Sequence, residues 1–300
     1  MYVILGATGN TGKVVAEALL AGNQKVRVVG RSKERLAGFA TRGAEAFEAS
    51  VADSAALTKA FTGARAVYAL LPPDLASTDY RAQQDKEINS IASALEAAGV
   101  THAVTLSSVG ADKPDKTGPV VGLHVMEERL AKISKLNALH LRAGYFMENT
   151  LAQVGVIKSF GMMAGPVRED LALPAIASHD IGAAAAEELL KLDFTGQRTR
   201  ELQGQRDLTY SQMAKIVGAA IGIPNLSYVQ LPAEQIIQAM TGMGMSKNMA
   251  TLICEMAESL NNGYMRMLEP RAAANTTPTS FEEFVHKAFV PAYKGQATTA

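Results

Sequence analysis

Three glycines at intervals of three, Gly6, Gly9 and Gly12, stand between the apolar run Met1 to Leu5 and a stretch with helical spacing. Glycines in that setting suit the binding of a phosphate. Gly6 permits a tight turn, Gly9 lets backbone approach a pyrophosphate, and Gly12 lets a helix pack close on the strand. The helix N-terminus then offers unpaired N–H groups and a partial positive charge. With Thr8, Asn10 and Thr11 between the glycines, "GATGNTG" reads as a dinucleotide cradle, because a buried strand leads into it and a helix leaves it.

The base that follows decides which dinucleotide is expected. An acidic residue about 20 positions after the turn would accept from the ribose 2'-hydroxyl of NAD. That place holds Gly30 and Arg31, with Lys33 and Arg35 beyond. A guanidinium fork matches a phosphate, so NADP(H) is expected ahead of NAD(H). Lys33 and Arg35 equally suit the solvated start of a helix. Asp53 is placed either to accept from the adenine amino group or to cap a helix beginning near Ser54.

Further candidates fall at the ends of later strands, where open α/β sheets bind ligands. Leu70, Leu71, Pro72 and Pro73 are expected to wall the cofactor. Ser107 and Ser108 can hydrogen-bond a nicotinamide ribose or a substrate carbonyl, or can simply start a turn before Gly110. Phe146 is expected to shield the nicotinamide, with Tyr145 or Asn149 facing substrate. His124 has Glu128 one helical turn later. Its imidazole can bond the ribose or donate a proton near neutral pH, although a lone His in such a helix also serves structure. His102, His140, His179 and His286 show no metal-ligand spacing and no serine sits in a nucleophile elbow, so no metal is expected.

The elements that must position these residues follow from periodicity. Strands read as Tyr2 to Leu5, Val26 to Val29, Ala44 to Phe47, Ala66 to Leu71, Ala103 to Ser107 and Ala138 to Arg142. Helical patterns lie between them, at Thr11 to Ala21, Ser77 to Ala98 and about Val120 to Ser134. The alternation predicts an α/β protein with a doubly wound, Rossmann-type parallel sheet. After residue 150 the rhythm changes to Gly- and Pro-punctuated pieces and helices at Asp180 to Leu192, Ser211 to Ile221 and Ala233 to Thr241. Thr209 with Gln212, and Ser280 with Glu283, have capping-box spacing. The expected division is 1–150 for the NAD(P)-binding domain, with returning segments from about 175–200, and 151–300 for a smaller C-terminal α/β substrate lobe. Seven methionines between Met240 and Met267 suit core filling or a plastic lid. The terminal "GQATTA" is expected to fray.

Composition narrows the partners. Lys plus Arg and Asp plus Glu both number 29 among 300 residues, so no net field gathers nucleic acid or an anionic membrane. A small-molecule substrate or another protein is the expected partner, for a monomer or homodimer. One cysteine, Cys254, excludes an internal disulfide and suits a reducing compartment. No apolar run approaches the roughly 18 residues of a membrane helix, and the cytoplasm is the expected location.

"GATGNTG", the Ser107–Ser108 pair, "LRAGYFMEN" from Leu141 to Asn149 and "SHDIGAAAAEEL" from Ser178 to Leu189 together resemble the NmrA-like family. That family is an atypical branch of the extended short-chain dehydrogenase/reductases, and the resemblance runs from Met1 to about "TPTSFEEF". It implies a site near the ends of the fifth and sixth strands. The wider superfamily uses a Tyr as acid or base, with a Lys four residues on. Here "GPVVGLHVMEERL" puts Val120 at the Tyr position and His124 at the Lys position. The quinone reductase branch is similar in keeping a His and a Glu at this spacing. The resemblance therefore implies an NADPH-dependent oxidoreductase that passes hydride to a small conjugated carbonyl such as a quinone. Its alternative is a non-enzymatic NAD(P)(H)-binding redox sensor that engages a regulatory protein partner. An epimerase or dehydratase is disfavoured, since those reactions lean on the absent Tyr.

Overall fold

The computed structural model describes residues 1–296. Its first half alternates β1 (Tyr2–Leu5), α1 (Asn10–Ala21), β2 (Val26–Gly30), α2 (Lys33–Ala40), β3 (Glu45–Glu48), α3 (Ser54–Phe61), β4 (Ala66–Ala69), α4 (Tyr80–Ala97), β5 (His102–Ser108), α5 (Val121–Ala131) and β6 (Asn137–Ala143). The second half adds β7 (Tyr145–Phe146), α6 (Gln153–Phe160), β8 (Met163–Gly165), β9 (Leu173–Ile176), α7 (Ser178–Lys191), β10 (Gln197–Leu202), β11 (Asp207–Leu208), α8 (Tyr210–Ile221), β12 (Tyr228–Gln230), α9 (Ala233–Gly242) and α10 (Lys247–Asn261).

The central sheet has seven strands in the order β10-β6-β5-β4-β1-β2-β3, and every pairing in it is parallel. The six expected strands are thus joined by a seventh, β10, from the returning segment. Chain order reverses between β1 and β4, which leaves a crevice beyond their carboxyl ends. Strands β1 and β4 are buried along their whole length, as a sheet covered by helices on both faces requires. One face packs Val15, Leu19, Ile181 and Leu189 of α1 and α7, and the other packs Leu57, Ile88, Ile91 and Leu130 of α3, α4 and α5.

Several boundaries differ from expectation, each for a local reason. The fourth strand stops at Ala69 rather than Leu71, ahead of Pro72 and Pro73, which lack the N–H that a ladder needs. Helix α4 begins at Tyr80, three residues late, because Asp79 accepts from the Ala82 N–H and caps it. Helix α5 stops at Ala131 instead of Ser134, where the chain turns to bury Ile133 and Leu136. Helix α7 begins two residues early, at Ser178. Its N-cap Ala177 has no capping side chain, and the cap comes from Glu148, whose carboxylate accepts from the Ser178 N–H.

Residues after β6 build a second packed cluster from Met147, Leu173, Tyr210, Met213, Tyr228, Phe281 and Phe289, which also takes Val109 and Val120. The Thr209–Gln212 capping box is complete in both directions. At Ser280 only half of the box forms, because the Glu283 carboxylate turns to Lys287 instead. Met249 and Met265 fill the core as expected, whereas Met243 is 75% exposed. Of the terminal "GQATTA", Gly295 and Gln296 close a turn onto the preceding helix, and 297–300 lie outside the described residues.

Candidate functional site

The glycine turn fits a phosphate for reasons that can be read atom by atom. Gly6 sits at φ +64°, and its carbonyl accepts from the Gly9 N–H at 2.9 Å. A Cβ on Gly12 would stand 2.4 Å from that same carbonyl oxygen, so the start of α1 lies directly on the turn. Gly9 is the N-cap of α1 and supplies no capping side chain, which leaves the first N–H groups of the helix for a ligand. Thr8 is half-buried and Asn10 exposed beside them. Thr11 is different. Its hydroxyl is buried and accepts from Tyr68 at 3.0 Å, so only its backbone faces the cradle. Leu70 presses on Gly6 from the other side of the crevice, with its Cδ2 3.0 Å from where a Gly6 Cβ would be. Leu71 is buried and Pro72 half-buried just beyond.

At the end of β2, Arg31 is exposed, and neither it nor Lys33 nor Arg35 forms an ion pair with the described residues. Ser32 caps α2 by accepting from the Arg35 N–H. Asp53 performs the capping role considered for it, accepting from the Ala56 N–H at 3.0 Å. Its second carboxylate oxygen takes no part in that cap.

The serine pair has its protons engaged within the chain. Ser107 is 3% exposed and donates to Glu127 Oε1 at 2.6 Å, while Ser108 donates to the Val109 carbonyl at 3.0 Å. Each oxygen can therefore accept from a ligand but not donate to a carbonyl without giving up its present partner. Glu127 also receives Arg142 through Nε at 3.1 Å and Nη2 at 2.6 Å, a two-point contact that clamps α5 to β6. His124 is held by the Ala111 carbonyl at Nδ1, 2.9 Å away, and its Nε2 lies 3.6 Å from Glu128. It lines a cleft of about 400 Å³ between α5 and the β6–β10 edge, with Glu127, His140 and Arg142. This cleft is not the crevice over the glycine turn, since β6 is three strands removed from β1, about 14 Å at ordinary strand spacing.

The pair after β6 splits between two surroundings. Phe146 packs against the cluster on the α1 and α7 face of the sheet, as Leu70 and Leu106 do, whereas Tyr145 packs into the second cluster, where Val120 also lies. The Tyr145 hydroxyl is 2.7 Å from that of Tyr210, and Asn149 is its other polar neighbour. Burial pushes the Tyr145 phenol above its ordinary value, against the opposing pull of those two groups. Burial also raises the Glu148 carboxyl, although the Ser178 hydroxyl and N–H oppose the rise.

Three groups escaped the sequence reading. Glu127, rather than Glu128, is the α5 carboxylate tied to a strand serine. Tyr210 reaches Tyr145 across 65 positions, and no local signal marks it. Gly182 lets α7 cross α1, since a Cβ there would stand 2.6 Å from Val14 Cβ and 2.8 Å from the Thr11 carbonyl oxygen. Its place within "SHDIGAAAAEEL" was the available clue.

The chain and its fold have relatives among known proteins. The chain is 26% identical over 258 residues to the NAD(P)H azoreductase of Xenophilus azovorans, covering 85% of this chain and 86% of that one. It is 28% identical over 261 residues to quinone oxidoreductase 2 of Escherichia coli, again with 85% and 86% covered. The crystal structure of the Escherichia coli NADPH-dependent quinone oxidoreductase complexed with NADPH superposes with a TM-score of 0.77 at 22% identity, covering all of this chain and 96% of that one. The NmrA-like family profile matches residues 2–285, in keeping with the glycine turn, the reversed strand order and the residue pair after β6, and the chain belongs to that family.

Proposed function

We propose that the chain is an NADPH-dependent reductase that passes hydride to a small conjugated carbonyl, with quinones as the favoured class. The observation that carries the reading is the uncapped glycine turn, closed to any Cβ at Gly12, beside an Arg31 that has no ion-pair partner among the described residues. Relatives named as reductases of azo compounds and quinones support it.

In this reading Gly6, Thr8, Gly9, Asn10 and the first N–H groups of α1, those of Thr11 and Gly12 among them, hold the pyrophosphate. Arg31 takes the 2'-phosphate, with Lys33 and Arg35 adding positive potential. Asp53 borders the adenine end, while Leu70, Leu71, Pro72 and Phe146 exclude water from the middle and far end. The cofactor, when bound, supplies a hydride. Ser107 and Ser108 offer oxygen acceptors to ribose hydroxyls. His124, tied to Ala111, keeps the first turn of α5 in place below them. Tyr145 and Asn149 face the substrate. A quinone accepts hydride without a strong acid, so Val120 in the usual Tyr position is compatible with turnover.

Stopped-flow mixing of the purified protein with NADPH and a panel of quinones tests the proposal. Oxidation should be faster with NADPH than with NADH. No oxidation above background with any acceptor refutes it. Val120 also favours a second reading, a redox sensor that binds a protein partner according to cofactor state. Equal recovery of bound proteins in the presence of NADP⁺ and NADPH refutes that one.

A further inference from the structure

We infer that Tyr145 is the proton donor of this reaction, with Tyr210 and Asn149 as the positioning groups that stabilise its phenolate. The inference rests on the reductase reading above and assigns the proton that hydride transfer leaves unaccounted for.

Its foundation is the hydroxyl pair, 2.7 Å apart, between the residue that follows β6 and Gly144 and the first residue of α8. Tyr210 is rigidly placed. Its backbone lies inside the complete Thr209–Gln212 capping box, and its ring stacks on Tyr228 at 4.3 Å and 18°. The Tyr228 hydroxyl donates to the Val167 carbonyl at 2.8 Å, which anchors the stack from behind. Tyr210 is 5% exposed, and its hydroxyl has no other hydrogen-bond partner among the described side chains.

That burial sets the direction of the bond. If Tyr145 donated, the Tyr210 proton would be left in the core without an acceptor, a loss of about 1–3 kcal/mol. If Tyr210 donates, every group is satisfied, and the half-buried Tyr145 keeps its own proton for a ligand. Tyr145 then has the Tyr210 O–H directed at its oxygen, and Asn149 is a second polar neighbour that favours the anion. Such groups at a phenolic oxygen stabilise the anion left when the proton departs. In the wider superfamily that stabilising task is implied for a Lys, which is absent here. Val120, at the position of the usual acid, belongs to the same packed cluster that Tyr145 packs against. Burial keeps the Tyr145 phenol protonated at neutral pH.

The step balances. A quinone that takes up hydride becomes a hydroquinone monoanion. The Tyr145 O–H bond breaks, a new O–H bond forms on the anionic oxygen, and water later reprotonates the phenolate.

Two variants that keep their rings decide the matter. Tyr145→Phe should lower kcat for quinone reduction about a hundredfold, with the KM for NADPH unchanged. Tyr210→Phe should lower kcat less, and it should move the titration of Tyr145, followed by NMR of ring-labelled tyrosine, to higher pH. A downward move would mean that Tyr145 is the donor of the pair, and the inference fails. It fails equally if Tyr145→Phe keeps kcat within about twofold. Wild-type protein that oxidises no NADPH with any quinone overturns the reductase reading and this inference with it, whereas an active wild type with either variant result above overturns this inference alone.

Discussion

Replacing Gly12 with Ala should separate a structural glycine from a merely permissive one. The added methyl would stand 2.4 Å from the Gly6 carbonyl oxygen, 2.7 Å from its carbon and 2.9 Å from the Leu5 carbonyl oxygen. All three are backbone atoms, so no rotamer change relieves the contact and α1 must move away from β1. Alanine in place of glycine within a helix normally gains about 0.5–1 kcal/mol, and forced overpacking costs about 1–3 kcal/mol, towards the upper end where backbone blocks relief. The net loss should be about 2 kcal/mol, which for a chain of this length lowers the melting temperature by roughly 3 °C. The same displacement pulls the free N–H groups of α1 off the phosphate, so the dissociation constant for NADPH should rise at least about tenfold. Gly38→Ala is the control. Gly38 lies within α2 with nothing within 4 Å of a Cβ, so that change should stabilise slightly and leave binding alone. Thermal melts and a fluorescence titration with NADPH read both effects. A Gly12→Ala protein that melts and binds like the wild type would refute the close approach of helix to turn.

Other expectations rest on separate contacts. Arg31→Ala should weaken NADPH about tenfold or more and leave NADH nearly unchanged, because only the 2'-phosphate loses its charged partner; equal losses for both cofactors would remove Arg31 from the site. Glu127→Ala strands the Arg142 guanidinium, whose side chain is 13% exposed, and should cost about 3 kcal/mol in urea unfolding. A loss under about 0.5 kcal/mol would show the clamp to be a surface-like pair. Glu87 is 4% exposed with one carboxylate oxygen unpartnered, and burial raises its pKa above 4.5 despite the Gln83 hydrogen bond and the attraction of Arg31. The folded state then holds the proton more tightly than the unfolded chain, so stability falls as pH climbs from about 4.5 through the raised value. Glu87→Gln should remove that fall and raise the urea midpoint at pH 7.5 relative to wild type, with a smaller gain at pH 4. An equal difference at both pH values would exclude the titration as its cause.

Much of the framework was legible because it depends on neighbours in sequence. A buried strand, a turn that demands glycine and an amphipathic helix are all contained within the first 21 residues. The same holds for the Thr209–Gln212 box and for the Asp53 cap, although there the sequence offered adenine contact first and capping as its alternative. Residues whose roles depend on distant partners were only half legible. Ser107 and Ser108 were recognisable as strand-end hydroxyls, but their role as acceptors depends on Glu127 and the Val109 carbonyl. His124 was recognisable as a helix histidine, but its direction is set by the Ala111 carbonyl. Helices α6 and α10 lie outside the helical patterns legible in the sequence.

By itself the sequence determined that a glycine turn lies between β1 and α1, that a basic group rather than an acidic one follows β2, and that Val120 and His124 stand where the resemblance would lead one to expect a Tyr and a Lys. These are consequences of residue type at short range, where backbone geometry leaves few choices. Tertiary structure alone decided that β10 completes the sheet, that Glu127 and not Glu128 meets Ser107, and that Tyr145 meets Tyr210. Glu127 and Glu128 are successive residues on α5, about 100° apart around the helix, and in the fold the Glu127 side chain is 12% exposed and the Glu128 side chain 64%. The sheet that packs on that side, with Ser107 of β5 and Arg142 of β6, decides which of the two becomes the partner. The tyrosine pair likewise exists because two elements far apart in sequence bury their rings in one cluster, and a hydroxyl enclosed there must find its partner within the chain.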